Sequence, residues 1–188
     1  MTDHLDREDL AALARGDERA LCDLHRRHAT KVFRFVLGLM RDEAAAEDVL
    51  NEAFIELWRR AGAFRGDSAV ATWLLSIARN KAIDRLRKRR EAPLDEEAAA
   101  VIADESDTPE ESLLRSDRAA QVRRQIARLS PIHREIIELV YYQEQSVAQA
   151  ARLVGVPEGT VKTRMFAARK QLARLLAESG LDESLATS

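Results

Sequence analysis

The sequence predicts an all-α protein: two small helical domains joined by an acidic flexible linker, the C-terminal one a helix-turn-helix. Three observations predict it. Of 188 residues only 7 are Gly, 4 are Pro and 5% are aromatic, while 33% are charged and 46% hydrophobic, which suits amphipathic helices and disfavours all-β and collagen-like chains. Apolar residues recur at spacings of three and four. The formal net charge of −2 is unevenly spread: residues 1–91 carry 18 basic and 16 acidic side chains, residues 92–117 carry 1 and 9, and residues 118–188 carry 11 and 7. The middle segment, with Pro93, Pro109 and the acidic run at 95–97, lacks large-apolar periodicity. So long a patternless stretch is uncommon inside one compact domain, which places the domains at 1–91 and 118–188 with 92–117 as linker.

In the first domain, Leu10, Leu13 and Leu21 point to an opening helix pair broken at Gly16 and Asp17. Val32, Phe33, Val36, Leu37 and Met40 then share one buried face of a longer helix. The next helix starts near Asp42. Val49, Leu50, Ala53, Phe54, Leu57 and Trp58 form its apolar stripe, and Glu47, Asp48, Asn51, Glu52 and Glu56 give it an acidic outer side. After Phe64-Arg65-Gly66-Asp67-Ser68 a last helix carries Trp73, Leu74, Ile77, Ala78, Ile83 and Leu86. Its second half is basic: Arg79, Lys81, Arg85, Arg87, Lys88, Arg89 and Arg90 stand against Asp84. Cations favour a helix C-terminus, but basic groups next to Phe64 and Trp73 also suit single-stranded nucleic acid.

In the second domain Val122, Ile126 and Leu129 end one helix, and Ser130-Pro131 opens another with Ile132, Ile136, Leu139 and Val140 inward. Ser146 and Gln149 fit a capping box, so a helix runs from Val147 to about Val154, and Gly155 ends it in the left-handed region. Pro157 restarts the chain into a basic helix. Val161, Met165, Ala168 and Leu172 face inward, while Lys162, Thr163, Phe166 and Arg169 project elsewhere. Residues 160–174 hold Lys162, Arg164, Arg169, Lys170 and Arg174 and no acidic side chain, which suits entry into the major groove.

Other functions are disfavoured. Cys22 is the sole cysteine, so one chain forms neither a disulfide nor a Cys-based zinc site, and a reducing, cytoplasmic setting is expected. No run of 18 uncharged apolar residues occurs and the N-terminus is acidic, so neither membrane insertion nor secretion is expected. Glu47, Asp48 and Glu52 lie along one helix without a partner cluster, and His4, His25, His28 and His133 have no ligand spacing. No catalytic residue, metal or cofactor is expected.

From about residue 9 to residue 176 the chain resembles the extracytoplasmic-function sigma factors, small two-domain initiation subunits of bacterial RNA polymerase. Residues 46–54 with Leu57-Trp58 resemble the family's polymerase-binding helix. Residues 64–68, then Thr72-Trp73-Leu74 and Ile77-Ala78-Arg79-Asn80, resemble its promoter-melting loop and minus-10 helix. Leu129-Ser130-Pro131, residues 159–164 and Ala168-Arg169-Lys170 resemble its minus-35 reader.

The resemblance implies roles. Asp48, Asn51 and Glu52 would contact the clamp of core RNA polymerase, Asn51 replacing a more usual, longer Gln. Phe64, Arg65, Asp67, Ser68 and Trp73 would take part in minus-10 recognition: the loop receives a flipped base, and Trp73 divides between stacking on nucleic acid and core packing. Asn80 would read a base edge, with Arg79, Lys81 and Arg85 on phosphates. Thr160, Lys162, Thr163, Arg164, Phe166, Arg169 and Lys170 would form the minus-35 surface, Lys162 standing where Arg is frequent. The linker would thread the polymerase interior. Core polymerase, promoter DNA and an anti-sigma factor are the implied partners. A stand-alone helix-turn-helix regulator is the alternative, and it leaves the Asp48 face and residues 64–90 without a task.

Overall fold

The structure, a computed structural model, describes residues 2–91 and 111–179. Pro93, the acidic run at 95–97, Pro109 and the tail after residue 179 lie outside the described residues. The chain divides into two compact units, Met1–Ala100 and Val101–Ser188. Among the described residues all regular structure is helical.

Unit one holds α1 (Thr2–Ala14), α2 (Glu18–Met40), α3 (Glu43–Arg60), a single 3₁₀ turn (Ala61–Ala63) and α4 (Val70–Glu91). Its boundaries follow local chemistry. Gly16 takes φ 97, a left-handed conformation that costs glycine little, and Asp17 caps α2 by accepting from the Arg19 amide. Asp42 caps α3 at 3.0 Å from the Ala45 amide. The start of α4 is different. Its cap comes from α1, where Asp3 Oδ1 accepts from the Val70 amide at 3.1 Å.

The four helices pack on one another through Leu10, Leu24, Val32, Phe35, Val36, Val49, Leu57, Val70 and Leu74, all essentially inaccessible. The expected inward faces are largely present, with two changes. Phe35 is fully buried whereas Phe33 is only half-buried, because α2 meets α1, α3 and α4 at once and so buries a wider arc than one stripe. Trp58 and Ile83, expected in apolar stripes, are exposed.

A polar network ties α1 to α2. Asp6, 2% exposed, accepts from Arg27 at 2.9 Å and pairs with His28 Nε2 at 2.9 Å, while Asp9 takes the other side of the Arg27 guanidinium. These carboxylates, Asp9 foremost, push the Arg27 pKa up. Buried charges of this kind are tolerated only when paired.

Unit two holds α5 (Glu111–Ala127), α6 (Pro131–Ile137), a π-helical turn (Glu138–Tyr142), α7 (Val147–Val154) and α8 (Glu158–Glu178). Residues 111–117, part of the segment read as linker from its charge and its lack of large-apolar periodicity, are helical. Glu, Leu and Arg within them are strong helix formers, which net charge alone does not register. Ser130 caps α6 with Pro131 at the first position, Ser146 and Gln149 form the reciprocal capping box, and Gly155 closes α7 at φ 74. Ile126, Leu129, Ile137, Ala168 and Leu175 form a core cluster, with Val122 and Leu172 against it. Ile132, expected inward, is 50% exposed and Ile137 is buried instead. Ile132 stands in the first turn of α6, where residues 130–132 are all exposed and burial begins only at Arg134.

Glu138 begins the π-helical turn, and burial pushes its pKa up to about 7, with Arg134 opposing the rise. The neighbouring Tyr142 is also pushed up, by burial first and then by Glu138. Between its ordinary 4.5 and about 7 the folded chain keeps a proton that the unfolded chain has lost, so stability falls as pH rises through that window. Glu138→Gln is therefore expected to stabilise unit two at pH 8, by at most about 3 kcal/mol, and to change little at pH 4.5. Thermal unfolding at the two pH values checks this; an equal gain at both would contradict it.

Candidate protein and nucleic-acid interfaces

Three surfaces carry the predicted site residues. The first lies on α3, where Asp48, Asn51 and Glu52 are all exposed and stand at spacings of three and one, which puts them on one side of the helix. The packed face of the same helix holds Val49, Ala53 and Leu57, so the carboxylates project because the apolar residues next to them are buried.

This acidic row does not stand alone. Asp48 accepts from Arg85 of α4 at 2.9 Å, Lys81 lies 3.8 Å from Glu52 and 4.0 Å from Glu56, and Arg89 lies 3.3 Å from Asp42. The basic half of α4, expected to hold phosphates, is thus interleaved with the carboxylates expected to meet polymerase. Each pair is partly exposed and contributes on the order of 0–1 kcal/mol. Sequence separations of 25 to 47 residues concealed this ladder, since neither helix alone reveals the other's register.

The second surface is the connection 64–69 with the start of α4. Phe64 and Trp73 are half-buried against each other, their ring centroids 5.1 Å apart, so Trp73 packs inside the protein in part. Arg65 and Asp67 are exposed and Ser68 is half-buried, its hydroxyl donating to the Ala69 carbonyl at 3.2 Å. Arg79 is half-buried and Asn80 exposed, one turn or more further along α4.

Two residues at this surface were not anticipated. Arg7 of α1 donates to the carbonyls of Ser68 at 2.9 Å and Gly66 at 3.3 Å, and its guanidinium lies 5.5 Å from the Phe64 ring centre. Asp3 Oδ2 accepts from Arg7 Nε at 2.8 Å. That hydrogen bond is the main reason the Asp3 pKa is lowered. In the sequence these two residues read as an ordinary surface pair four apart on a helix, and nothing local links them to residue 66.

The third surface is the outer side of α8. Lys162, Thr163, Phe166, Arg169 and Lys170 are exposed, Thr160 and Arg164 half-buried, while Val161 and Ala168 are buried against the unit's other helices. Phe166 is 71% exposed, more than any other large hydrophobic side chain among the described residues. Thr163 donates back to the Gly159 carbonyl at 3.0 Å. Positive charge, an apolar tip and a rigid helix that follows α7 across a glycine turn are what major-groove entry requires.

No helix among the described residues is long and apolar enough to cross a membrane. No three His, Cys, Asp or Glu side chains among them are grouped to hold a metal ion.

The family model for sigma-70 region 2 matches residues 24–92, and that for sigma-70 region 4 matches residues 119–172. The chain is similar to the ECF RNA polymerase sigma factor SigM of Mycobacterium tuberculosis, 38% identical over 174 residues that cover 91% of this chain and 84% of that protein. It is also similar to the RNA polymerase sigma-H factor of Pseudomonas aeruginosa, 32% identical over 185 residues, 94% of this chain and 96% of that one. Among solved structures, CnrH in complex with the cytosolic domain of CnrY has a TM-score of 0.68 at 25% identity, covering 93% of this chain and 98% of that one. The sigma factor RpoE from Bartonella quintana, solved with the anti-sigma factor NepR, shares the fold at a TM-score of 0.67 and 24% identity, over 82% of this chain and 95% of that one.

Proposed function

Because the chain belongs to the extracytoplasmic-function sigma factors of RNA polymerase, we propose that its three surfaces divide the work of initiation between them. The exposed row Asp48, Asn51 and Glu52 on α3 docks on basic side chains of the polymerase clamp. Arg65, Asp67 and Ser68 seat the extruded minus-10 base above the Phe64–Trp73 pair. Asn80 reads a base edge, with Arg79, Lys81 and Arg85 toward phosphates. The outer side of α8 reads the minus-35 element, Lys162, Thr163 and Phe166 toward bases and Thr160, Arg164, Arg169 and Lys170 toward the backbone.

The single observation that carries this reading is the coexistence of an exposed carboxylate row on α3 and a basic, Phe166-tipped α8 in one chain whose two units match regions 2 and 4. A free-standing helix-turn-helix regulator would use only the second. A cytoplasmic setting and a purely non-catalytic role accompany the family assignment. We also propose that an anti-sigma protein holds the chain away from polymerase until a signal arrives, an expectation supported by the solved complex of RpoE with the anti-sigma factor NepR.

Run-off transcription tests the reading: core polymerase plus this protein is expected to start at a cognate promoter, and neither alone. Lysine at 162 supplies charge without arginine's fork, so its discrimination sits at the low end of the range for base contacts. Lys162→Ala is expected to reduce preference for the minus-35 element about fivefold while leaving strand opening intact. Equal loss on promoters with and without that element would contradict the assignment.

A further inference from the structure

Taking residues 64–68 as the seat of the extruded base, as proposed above, we infer that Arg7 is a positioning residue that pre-forms this seat from below, acting through Phe64, Gly66 and Ser68. One guanidinium serves three parts of the connection at once. It donates to two backbone carbonyls, those of Gly66 and Ser68, and covers one side of Phe64. Only a planar, multi-donor cation can do this; a lysine ammonium is a point charge without the fork.

The fit is close. Gly66 adopts φ 78, in the left-handed region, and a Cβ added there would lie 2.9 Å from Arg7 Nη1. The arginine is held in turn by Asp3, whose other carboxylate oxygen caps the first amide of α4. One carboxylate therefore joins the clamp to the helix that follows the loop. Helix α1 is itself fixed by the buried Asp6 between Arg27 and His28, so Arg7 is delivered from a rigid base. Asp3, Asp6 and Arg7 precede position 24, where the match to the region 2 family model begins.

An irregular connection that must close around a flipped base loses conformational freedom on capture, and a loop already held in place loses less. Arg7 should therefore strengthen binding of the base itself and leave the remaining DNA contacts alone. That distinction can be measured.

The test uses holoenzyme assembled from core polymerase and the full chain, with two forked promoter DNAs. One carries the unpaired minus-10 base and the other an abasic sugar at that place. The ratio of their affinities reports capture of the base. Arg7→Ala is expected to lower that ratio about tenfold, the loss of two backbone hydrogen bonds, with the abasic fork bound within about twofold of wild type. Arg7→Lys should fall between, and Gly66→Ala should lower the ratio also. An unchanged ratio for Arg7→Ala overturns the inference. So does an equal weakening on both forks, since a residue that merely maintained the fold would affect them alike. Arg65→Ala and Asp67→Ala separate the two levels: if they lower the ratio and Arg7→Ala does not, the role of Arg7 alone fails. Should none of the variants change it, the loop is not the seat of the base and both readings fall.

Discussion

Asp48→Arg is expected to abolish transcription initiation by this chain while leaving its fold intact. The carboxylate is 61% exposed at the side chain and pairs with Arg85 at the surface, so reversal costs the isolated protein little beyond a repulsion screened by solvent. At an interface with basic polymerase helices the same change removes an attractive pair and installs a repulsive one. Truncating one partner of an interfacial charge pair costs about 2–5 kcal/mol, and reversal exceeds truncation, so association should weaken at least about 30-fold. Circular dichroism serves as the control for folding. The double variant Asp48→Arg with Arg85→Asp restores the internal pair and should remain inactive. Recovery of activity in that double variant would mean that the pair matters only within unit one, and the docking role of Asp48 would be wrong.

Phe35→Ala is expected to destabilise unit one by about 3–5 kcal/mol, the usual result of removing a fully buried aromatic side chain and leaving a cavity. Marginal domains hold only about 5–15 kcal/mol in total, so the melting temperature should fall by more than about 10 °C. Both tryptophans, Trp58 and Trp73, lie in unit one, and both tyrosines, Tyr141 and Tyr142, lie in unit two, so tryptophan emission follows the loss in unit one specifically. Phe33→Ala, at a half-buried position, should cost clearly less. A loss from Phe33→Ala as large as or larger than that from Phe35→Ala would contradict this placement of the inward arc of α2.

That pair of phenylalanines marks where sequence reading stops. Local chemistry was legible: the break at Gly16 and Asp17, the helix start near Asp42, the Ser130-Pro131 start, the Ser146 and Gln149 capping box and the Gly155 stop each act within four residues, and each is present. A helix touching three others buries an arc set by its neighbours' positions, which no stripe in its own sequence encodes. Phe35 was missed for that reason, and Ile132 misplaced because residues 130–132 at the start of α6 are all exposed, which periodicity along the helix does not register.

Site residues divide the same way. The outer residues of α8 were legible because the buried positions between them define the exposed face. The ion-pair ladder from Asp42, Asp48 and Glu52 to Arg89, Arg85 and Lys81 depends on the register of two helices, and the grip of Arg7 on residues 66 and 68 spans about 60 positions. Contacts of that separation arise from tertiary packing and leave no local trace. The ladder also changes how the basic half of α4 is understood: its cations are shared between internal carboxylates and, in the proposed complex, DNA phosphates.

Sedimentation velocity of purified core polymerase mixed with this chain tests the central claim most directly. A one-to-one complex moving with the polymerase boundary is predicted, and Asp48→Arg should return the 188-residue chain to the slow boundary. If the wild-type chain, free of any inhibitor, stays in the slow boundary, the account is contradicted.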